Sequence, residues 1–189
     1  MRRELFVVVL TFLGIFHDLG AQSSHTEPST LVIVVRHAEK DTSPENDPHL
    51  TAAGVARAAA LAEAIANAHV QAIITTQLLR SRETARPAAE ANKVVPEVIA
   101  RTSATISDVR AVAHAVRRHA GQAVLVLGHG ETVGPILQAL GAPRIPTLCA
   151  SDYSELFILV LKGPTARLIR SSYGAPSVSP PDCSNLRHE

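Results

Sequence analysis

The chain has few aromatic side chains and no excess of charge of either sign. Aromatic residues make up 3% of its 189 residues, Trp is absent, and 18 Lys and Arg face 17 Asp and Glu. This leaves little material for stacking nucleic-acid bases, and a formal charge of +1 without a long basic run provides no electrostatic footprint for nucleic acid. A hydrophobic content of 46% also argues against disorder. We therefore expect one substantial globular domain that binds no nucleic acid.

The longest apolar run lies near the N-terminus and is too short for a membrane span. It extends from Leu5 to Phe16, follows two arginines and precedes a more polar stretch that ends at Ala21. A spanning helix needs about 20 residues, whereas this order is typical of a secretory signal peptide. We therefore expect export to the periplasm or the medium, without stable membrane insertion after cleavage. The predicted organisation is a signal peptide over 1–21, a linker over 22–30, a domain over 31–174 and a Ser/Pro-rich tail over 175–189.

The sequence has only two cysteines, Cys149 and Cys183. Thiols outside the cytosol meet an oxidising environment, which favours a disulfide between them. Such a bridge would tie the tail to the loop that precedes a late strand. The alternative is two unrelated thiols, and we predict the bridge.

Buried-strand patterns alternate with helical patterns along the predicted domain. Strands are predicted at Leu31–Val35, Ala72–Thr75 and Ala123–Leu127. Helices are predicted at Thr51–Ala68 (with Val55, Leu61 and Ile65 at helical spacing), about Leu78 to Asn92, Ser107–His119 (capped by Ser107 with Asp108) and Thr132–Leu140. A hairpin is predicted at Ser154–Lys162 and Ala166–Ser172. The alternation predicts an α/β fold, a three-layer α/β/α sandwich with a mainly parallel sheet.

Three of the predicted strands are followed by side chains that can carry positive charge. Arg36 and His37 follow the first strand, Arg80 follows the second, and His129 follows the third. Parallel strands bring such residues to one edge of the sheet, where ligands of α/β proteins bind. The helix that begins near Gly130 adds free backbone N–H groups, which favour an anion. The pattern therefore predicts a phosphate site.

Four motifs carry a family resemblance. They are Arg36-His37-Ala38-Glu39-Lys40, Leu50-Thr51-Ala52-Ala53-Gly54, the stretch from Leu78 to Ala85, and Gly128-His129-Gly130-Glu131-Thr132. In this order and in these strand and helix contexts they resemble the histidine phosphatase, or phosphoglycerate mutase-like, superfamily. The resemblance extends over roughly Leu31 to Tyr173, and the compact length is similar to that of its small members, which include the phosphohistidine phosphatases.

The resemblance implies a role for each residue at the strand ends. His37 would be the nucleophile and form a phosphohistidine intermediate, so its attacking nitrogen must be neutral while an acceptor holds its other N–H. Arg36 and Arg80 would bind the phosphoryl oxygens with their forked donors, together with Gly130, and His129 would add a third positive group if protonated. No metal or other cofactor is implied. A metal on His37 and His129 is the competing interpretation, but two arginines would repel a cation, and the sequence offers no tight ligand cluster beside them.

The general acid has four candidates. Asp47 is preferred, because EKDTSPENDPHLT resembles the acid-bearing loop of some compact members of the superfamily. The others are Glu39, which alternatively pairs with Lys40, together with Glu83 and Glu131. A carboxylate at Glu131 would repel phosphate unless it caps its helix or is protonated. A phosphohistidine substrate would need no acid.

The expected function is that of a histidine acid-type phosphatase, a metal-independent phosphomonoester hydrolase. Its substrate would be a phosphorylated small molecule or a phosphoprotein, with specificity set partly by the unassigned loop between Val94 and Ser107. The alternatives are a phosphate-binding domain with weak catalysis, and a phosphotransferase or mutase. The other polar residues are expected to be structural: Arg57 on a helix surface, His114 and His119 exposed, and Tyr153 and Tyr173 packed on the sheet, with Arg82 and Arg86 facing either the substrate entrance or water.

Overall fold

The structure is a computed structural model that describes residues 28–177. The predicted signal peptide, most of the linker and most of the tail lie outside this range. Cys183 lies outside it as well, so its bridge to Cys149 stays a prediction. Within the described part of the chain, none of the helices combines the length and apolarity needed to cross a membrane.

A six-stranded sheet forms the centre of the molecule. The strands are β1 (Thr30–Arg36), β2 (Ala72–Thr75), β3 (Glu97–Val98), β4 (Ala123–Gly128), β5 (Glu155–Lys162) and β6 (Thr165–Ser172). The helices are α1 (Ala52–Ala64), α2 (Leu79–Asn92), α3 (Thr105–Arg118) and α4 (Val133–Ala139). The strand order is β3-β2-β4-β1-β5-β6, with β5 antiparallel to β1 and to β6 and the other neighbours parallel. The predicted α/β fold with a mainly parallel sheet is confirmed.

The two faces of the sheet are covered by different pairs of helices. Val32 and Val34 of β1 point into one apolar core, which α3 and α4 complete. Ile33 and Val35 point the other way, into a core that contains residues of α1 and α2. Because successive side chains of a strand alternate between faces, a central strand with helices on both sides must be apolar throughout. This explains the uninterrupted apolar run in β1.

Helix α1 is shorter than predicted, and one of the three apolar residues singled out in the sequence is exposed. It ends at Ala64, and a separate 3-10 turn covers Ala66–Ala68. Leu61 and Ile65 are buried, whereas Val55 is 52% exposed and does not share their face. At Gly54 an added Cβ would lie 2.1 Å from the carbonyl oxygen of Glu39. This close approach requires Gly, and both Gly54 and Ala58 lie on the buried side of the helix.

One further local prediction is wrong, and one strand was not predicted. Helix α3 begins at Thr105, so Ser107 lies inside the helix rather than capping it. The carboxylate of Asp108 instead accepts hydrogen bonds from the N–H and hydroxyl of Thr102, at 2.7 and 2.8 Å. Strand β3 was not predicted, since two residues are too few to produce a periodic pattern.

Arg57 is a buried side chain and not the surface residue that the sequence suggested. Its Nε and Nη2 donate to the carboxylate of Glu39 at 2.7–2.9 Å, and its side chain is 5% exposed. Glu39 therefore pairs with Arg57 and not with Lys40. The Nη1 of Arg57 donates to the carbonyl oxygens of Tyr173 and Ala175. Arg57 thus joins the segment after His37 to the chain that leaves β6.

We expect Arg57→Met to destabilise the fold by about 3 kcal/mol, because it leaves the Glu39 carboxylate partly buried without its partner. Urea unfolding monitored by circular dichroism measures this loss. Arg110→Met, on the exposed side of α3, is the matched control and should change stability by less than about 0.5 kcal/mol. Equal stabilities for the two variants would contradict the role of Arg57.

Candidate active site

The register between β1 and β4 places the two motif histidines side by side. Arg36 is opposite Gly128, so the next residues, His37 and His129, leave the two strands at the same level. Their ring centroids are 5.2 Å apart, and both side chains are buried. The structure therefore brings together the two imidazoles that lie far apart in the sequence.

His37 is held in one tautomer by the backbone carbonyl of the next residue. Its Nδ1 lies 2.8 Å from the carbonyl oxygen of Ala38, which only accepts, so the ring proton is on Nδ1. Burial lowers the pKa of His37 to about 3, against the opposing effect of this hydrogen bond, and the positive charges nearby lower it further. The imidazole is therefore neutral near pH 7, with the lone pair on Nε2.

His129 is also neutral in the free site. Burial lowers its pKa to about 4, while the negative charge of Glu131 opposes this shift and the charges of Arg80, Arg101 and Arg36 add to it. Its Nε2 lies 3.4 Å from the hydroxyl of Thr76, at the carboxyl end of β2. Near pH 7 the ring of His129 therefore does not itself supply the third positive charge that was expected here.

Both predicted phosphate-binding arginines have a buried nitrogen with no partner. The Nε atoms of Arg36 and Arg80 make no hydrogen bond within residues 28–177, although both are shielded from solvent. A buried donor without an acceptor is costly, so each marks a place where an acceptor is expected to bind. The positive charges of both arginines act on His37 and on His129, which places them around the same two rings.

The predicted backbone donors at the fourth motif are largely occupied. The N–H of His129 donates to the hydroxyl of Thr132, and the N–H groups of Thr132 and Val133 donate to the carbonyl oxygen of His129. Gly130 lies beside the guanidinium of Arg36, since a Cβ there would be 3.6 Å from Cζ of Arg36. The guanidinium groups, rather than backbone N–H groups, are the main donors at this edge of the sheet.

Asp47 makes its contacts with the start of α2. Its Oδ1 accepts a hydrogen bond from the N–H of Leu79 at 2.9 Å and lies 3.8 Å from Nη1 of Arg80. Thr84, which is buried, accepts from the N–H of Ala38 and donates to the carbonyl oxygen of Arg80. Asp47 and Thr84 together fix the first turn of α2, and therefore Arg80, against the segment that carries His37.

Two of the other carboxylates proposed as acids are held as anions. Burial raises the pKa of Glu83, but hydrogen bonds from the N–H of Leu50 and from His49 outweigh it and lower the pKa overall. For Glu131, burial likewise raises the pKa, while hydrogen bonds from its own N–H and from Arg101 lower it overall. Both groups are therefore ionised and engaged in hydrogen bonds near pH 7.

Sequence reasoning missed two side chains at this site. Arg101 follows β3 and donates from Nη2 to Glu131 at 2.7 Å, while its backbone N–H and carbonyl bond the side chain of Gln77. The ring of Tyr153 lies 6.2 Å from that of His37, with Cζ of Arg36 4.2 Å from the centre of the Tyr153 ring. Arg101 could have been found, because it follows a short Val-rich stretch that ends in a strand. No sequence pattern placed Tyr153 at this site.

The site contains no evident place for a metal ion. Among residues 28–177, no group of three or more His, Cys, Asp or Glu side chains is arranged to hold one. The two rings are accompanied by arginines, which suit an anion rather than a cation.

Comparisons with known proteins agree with this geometry. The family model described as histidine phosphatase superfamily (branch 1) matches residues 32–105. The solved structure of the protein histidine phosphatase SixA with tungstate is 15% identical, with a TM-score of 0.60 over 75% of this chain and 96% of that one. A putative phosphohistidine phosphatase SixA from Agrobacterium tumefaciens is 23% identical, with a TM-score of 0.53 over 77% of this chain and 98% of that one. A mycobacterial glucosyl-3-phosphoglycerate phosphatase is 14% identical, with a TM-score of 0.58 over 78% of this chain and 100% of that one. No curated protein matches the chain.

The structural likenesses establish the fold, and the family model matches the part of the chain that carries the first three motifs. Over residues 32–105 the chain is therefore similar to the histidine phosphatase superfamily, and its fold is that of the solved neighbours.

We expect the fold to lose stability as the pH falls from about 6.5 towards 4. The unfolded chain binds protons on His37 and His129 near their ordinary pKa of 6.5, whereas the folded chain binds them near 3 and 4. The unfolded state therefore holds more protons in this window, and the loss is about 1.4 kcal/mol per pH unit for each ring. Urea unfolding at pH 7.5 and pH 5 measures it, and His37→Asn should flatten the dependence. An unchanged dependence in that variant would show that the ring is not buried in its neutral form.

Proposed function

We propose that this protein is a phosphatase that transfers the phosphoryl group of its substrate to Nε2 of His37 and then to water. One observation carries the proposal. A neutral imidazole with a free Nε2 lies beside two buried guanidinium nitrogens that have no partner among residues 28–177. A nucleophile and unpaired donors in one place are what phosphoryl transfer requires, because its transition state spreads negative charge over the phosphoryl oxygens.

The reaction runs in two displacements. In the first, the lone pair on Nε2 of His37 forms a bond to phosphorus, and the bond from phosphorus to the leaving group breaks with its electron pair. The leaving group takes a proton from solvent water. The Ala38 carbonyl accepts the Nδ1–H, which stabilises the charged ring. In the second displacement water attacks phosphorus, the bond to Nε2 breaks, and the proton of water passes to solvent. Arg36 and Arg80 hold the phosphoryl oxygens throughout.

Entry of a phosphate dianion changes the charge state of the site. Its negative charge opposes the burial that keeps His129 neutral, so we expect His129 to gain a proton as phosphate binds. The protonated ring then adds to the positive charge of Arg36 and Arg80. Binding and protonation are coupled, which suits a site that is only weakly positive when empty.

The surroundings of the site favour substrates with good leaving groups. Three candidate carboxylates already have a basic partner: Glu39 pairs with Arg57, Glu83 with His49, and Glu131 with Arg101. Asp47 is engaged with the first turn of α2. Without a carboxylic acid ready to donate a proton, a leaving group of low basicity is hydrolysed fastest. A phosphohistidine of another protein fits this requirement, and the neighbours named as SixA are protein histidine phosphatases or putative ones. If the chain is exported as predicted, this substrate would be met outside the cytosol.

We expect His37→Ala to reduce the hydrolysis of p-nitrophenyl phosphate by at least about a thousandfold, because it removes the nucleophile. The assay is run in EDTA, since the nucleophile and the positive charges come from the chain itself. Rapid acid-free quenching of the wild type should trap phosphate on His37, located by mass spectrometry. His114→Ala on α3 is the exposed control and should retain full activity. Full activity of His37→Ala would rule out the proposed nucleophile, and transfer of labelled phosphate to an added alcohol instead of water would indicate a phosphotransferase.

We expect the rate of hydrolysis to fall steeply as the pKa of the leaving group rises across a series of aryl phosphates. Asp47→Asn should leave this slope unchanged, because Asn also accepts the N–H of Leu79 and retains the start of α2. The measurement is kcat/KM across the series for both proteins. If Asp47→Asn loses activity only towards esters with basic leaving groups, Asp47 is the general acid that the sequence first suggested.

A further inference from the structure

The guanidinium of Arg36 is fixed by a segment that lies more than one hundred residues further along the chain. Its Nη1 donates to the carbonyl oxygens of Cys149, Ala150 and Asp152, at 2.7, 3.0 and 3.2 Å. Three acceptors from one turn leave that nitrogen no capacity for a ligand. The orientation of the planar group is therefore set from one side, by backbone atoms only.

The remaining edge of the same guanidinium is free to meet an anion. Nε is buried without a partner in the described chain, and Nη2 has only the long 3.5 Å contact to the hydroxyl of Tyr153. The N–H bonds of Nε and Nη2 run parallel, which is the arrangement that binds two oxygens of one phosphoryl group. Gly130 leaves this edge open, because any side chain there would lie against Nε and Cζ.

Tyr153 covers the face of the Arg36 guanidinium. Cζ of Arg36 lies 4.2 Å from the centre of the ring, within the range of an attractive cation–π contact. The ring thereby restricts tilting of the plane, which the carbonyl contacts alone do not prevent. The centre of the same ring lies 6.2 Å from that of the His37 ring.

The segment that carries these contacts is itself fixed at both ends. The N–H of Asp152 donates to the carbonyl oxygen of Cys149, and the Asp152 carboxylate accepts from the N–H of Cys149, which closes a tight turn. The N–H groups of Tyr153 and Ser154 both donate to Oγ of Ser177, at 2.8 and 2.9 Å. A single hydroxyl from the start of the predicted tail thus satisfies two donors beside Tyr153.

We propose that Tyr153 and Ser177 are positioning residues for phosphate binding, which act by holding the Nε–Nη2 edge of Arg36 towards the pocket. The inference rests on the proposed function, in which Arg36 binds the phosphoryl group. It assigns a functional role to the chain after β6, which the sequence analysis treated as a tail from residue 175 onward.

The test compares the affinity for inorganic phosphate, measured by calorimetry, with KM and kcat for p-nitrophenyl phosphate. Tyr153→Ala is expected to weaken phosphate binding and raise KM by about fivefold to tenfold, with a smaller change in kcat. Tyr153→Phe keeps the ring and should stay within about twofold of the wild type, since the hydroxyl contact is long. Tyr173→Phe is the matched control. The Tyr173 hydroxyl has no partner within residues 28–177, and the guanidinium near its ring is that of Arg57 and not of Arg36.

Ser177 provides a second, independent variant. Ser177→Ala should raise KM and weaken phosphate binding in the same way, and Ser177→Thr, which keeps a hydroxyl, should restore both. A purely structural role would lower the thermal unfolding midpoint and leave the affinity of the folded protein unchanged. That result for Tyr153→Ala and Ser177→Ala would overturn the inference while leaving the proposed function intact. A wild-type protein that neither binds phosphate nor hydrolyses the ester would overturn both.

Discussion

The parallel pairing of β1 with β4 is the constraint on which the candidate site depends. Because Arg36 is opposite Gly128, the chain leaves both strands at the same level, and the two imidazoles become neighbours. A shift of one residue in this register would send every side chain of β1 to the opposite face. The apolar cores on both sides of the sheet therefore fix the positions of His37 and His129 as firmly as they fix the fold.

Burial of the two rings has opposite effects on stability and on reactivity. Taking His37 and His129 out of water keeps them neutral, which weakens the folded state in acid but leaves Nε2 of His37 able to attack phosphorus. The Nε atoms of Arg36 and Arg80 have no hydrogen-bond partner within residues 28–177, and a buried donor without an acceptor is destabilising. In the proposed function, the phosphoryl oxygens would supply these acceptors.

The sequence was sufficient to predict the fold and the edge of the sheet at which Arg36, His37, Arg80 and His129 lie, because both follow from where apolar runs end. The roles of these four side chains stay predictions. The sequence did not predict interactions with main-chain atoms or with residues that lie far away along the chain. Arg57 looked like a surface residue because its partners are Glu39 and two carbonyl groups near the end of the domain, which no spacing reveals. Tyr153 was assigned to general packing for the same reason, since it contacts Arg36 through a turn whose acceptors are all main-chain atoms. Arg101 was missed because β3 is only two residues long.

The carbonyl contacts of Arg36 also bear on how the protein matures during synthesis. All four family motifs have been translated by Thr132, yet the turn that orients Arg36 comes later, and the hydroxyl that braces it belongs to Ser177. A nascent chain that has just finished its last motif carries the reactive imidazole without an oriented guanidinium. In the proposed function, Arg36 would therefore gain its full set of contacts only after synthesis has passed Ser177, and a product that ends before Cys149 would keep all four motifs but lack the carbonyl acceptors of Arg36.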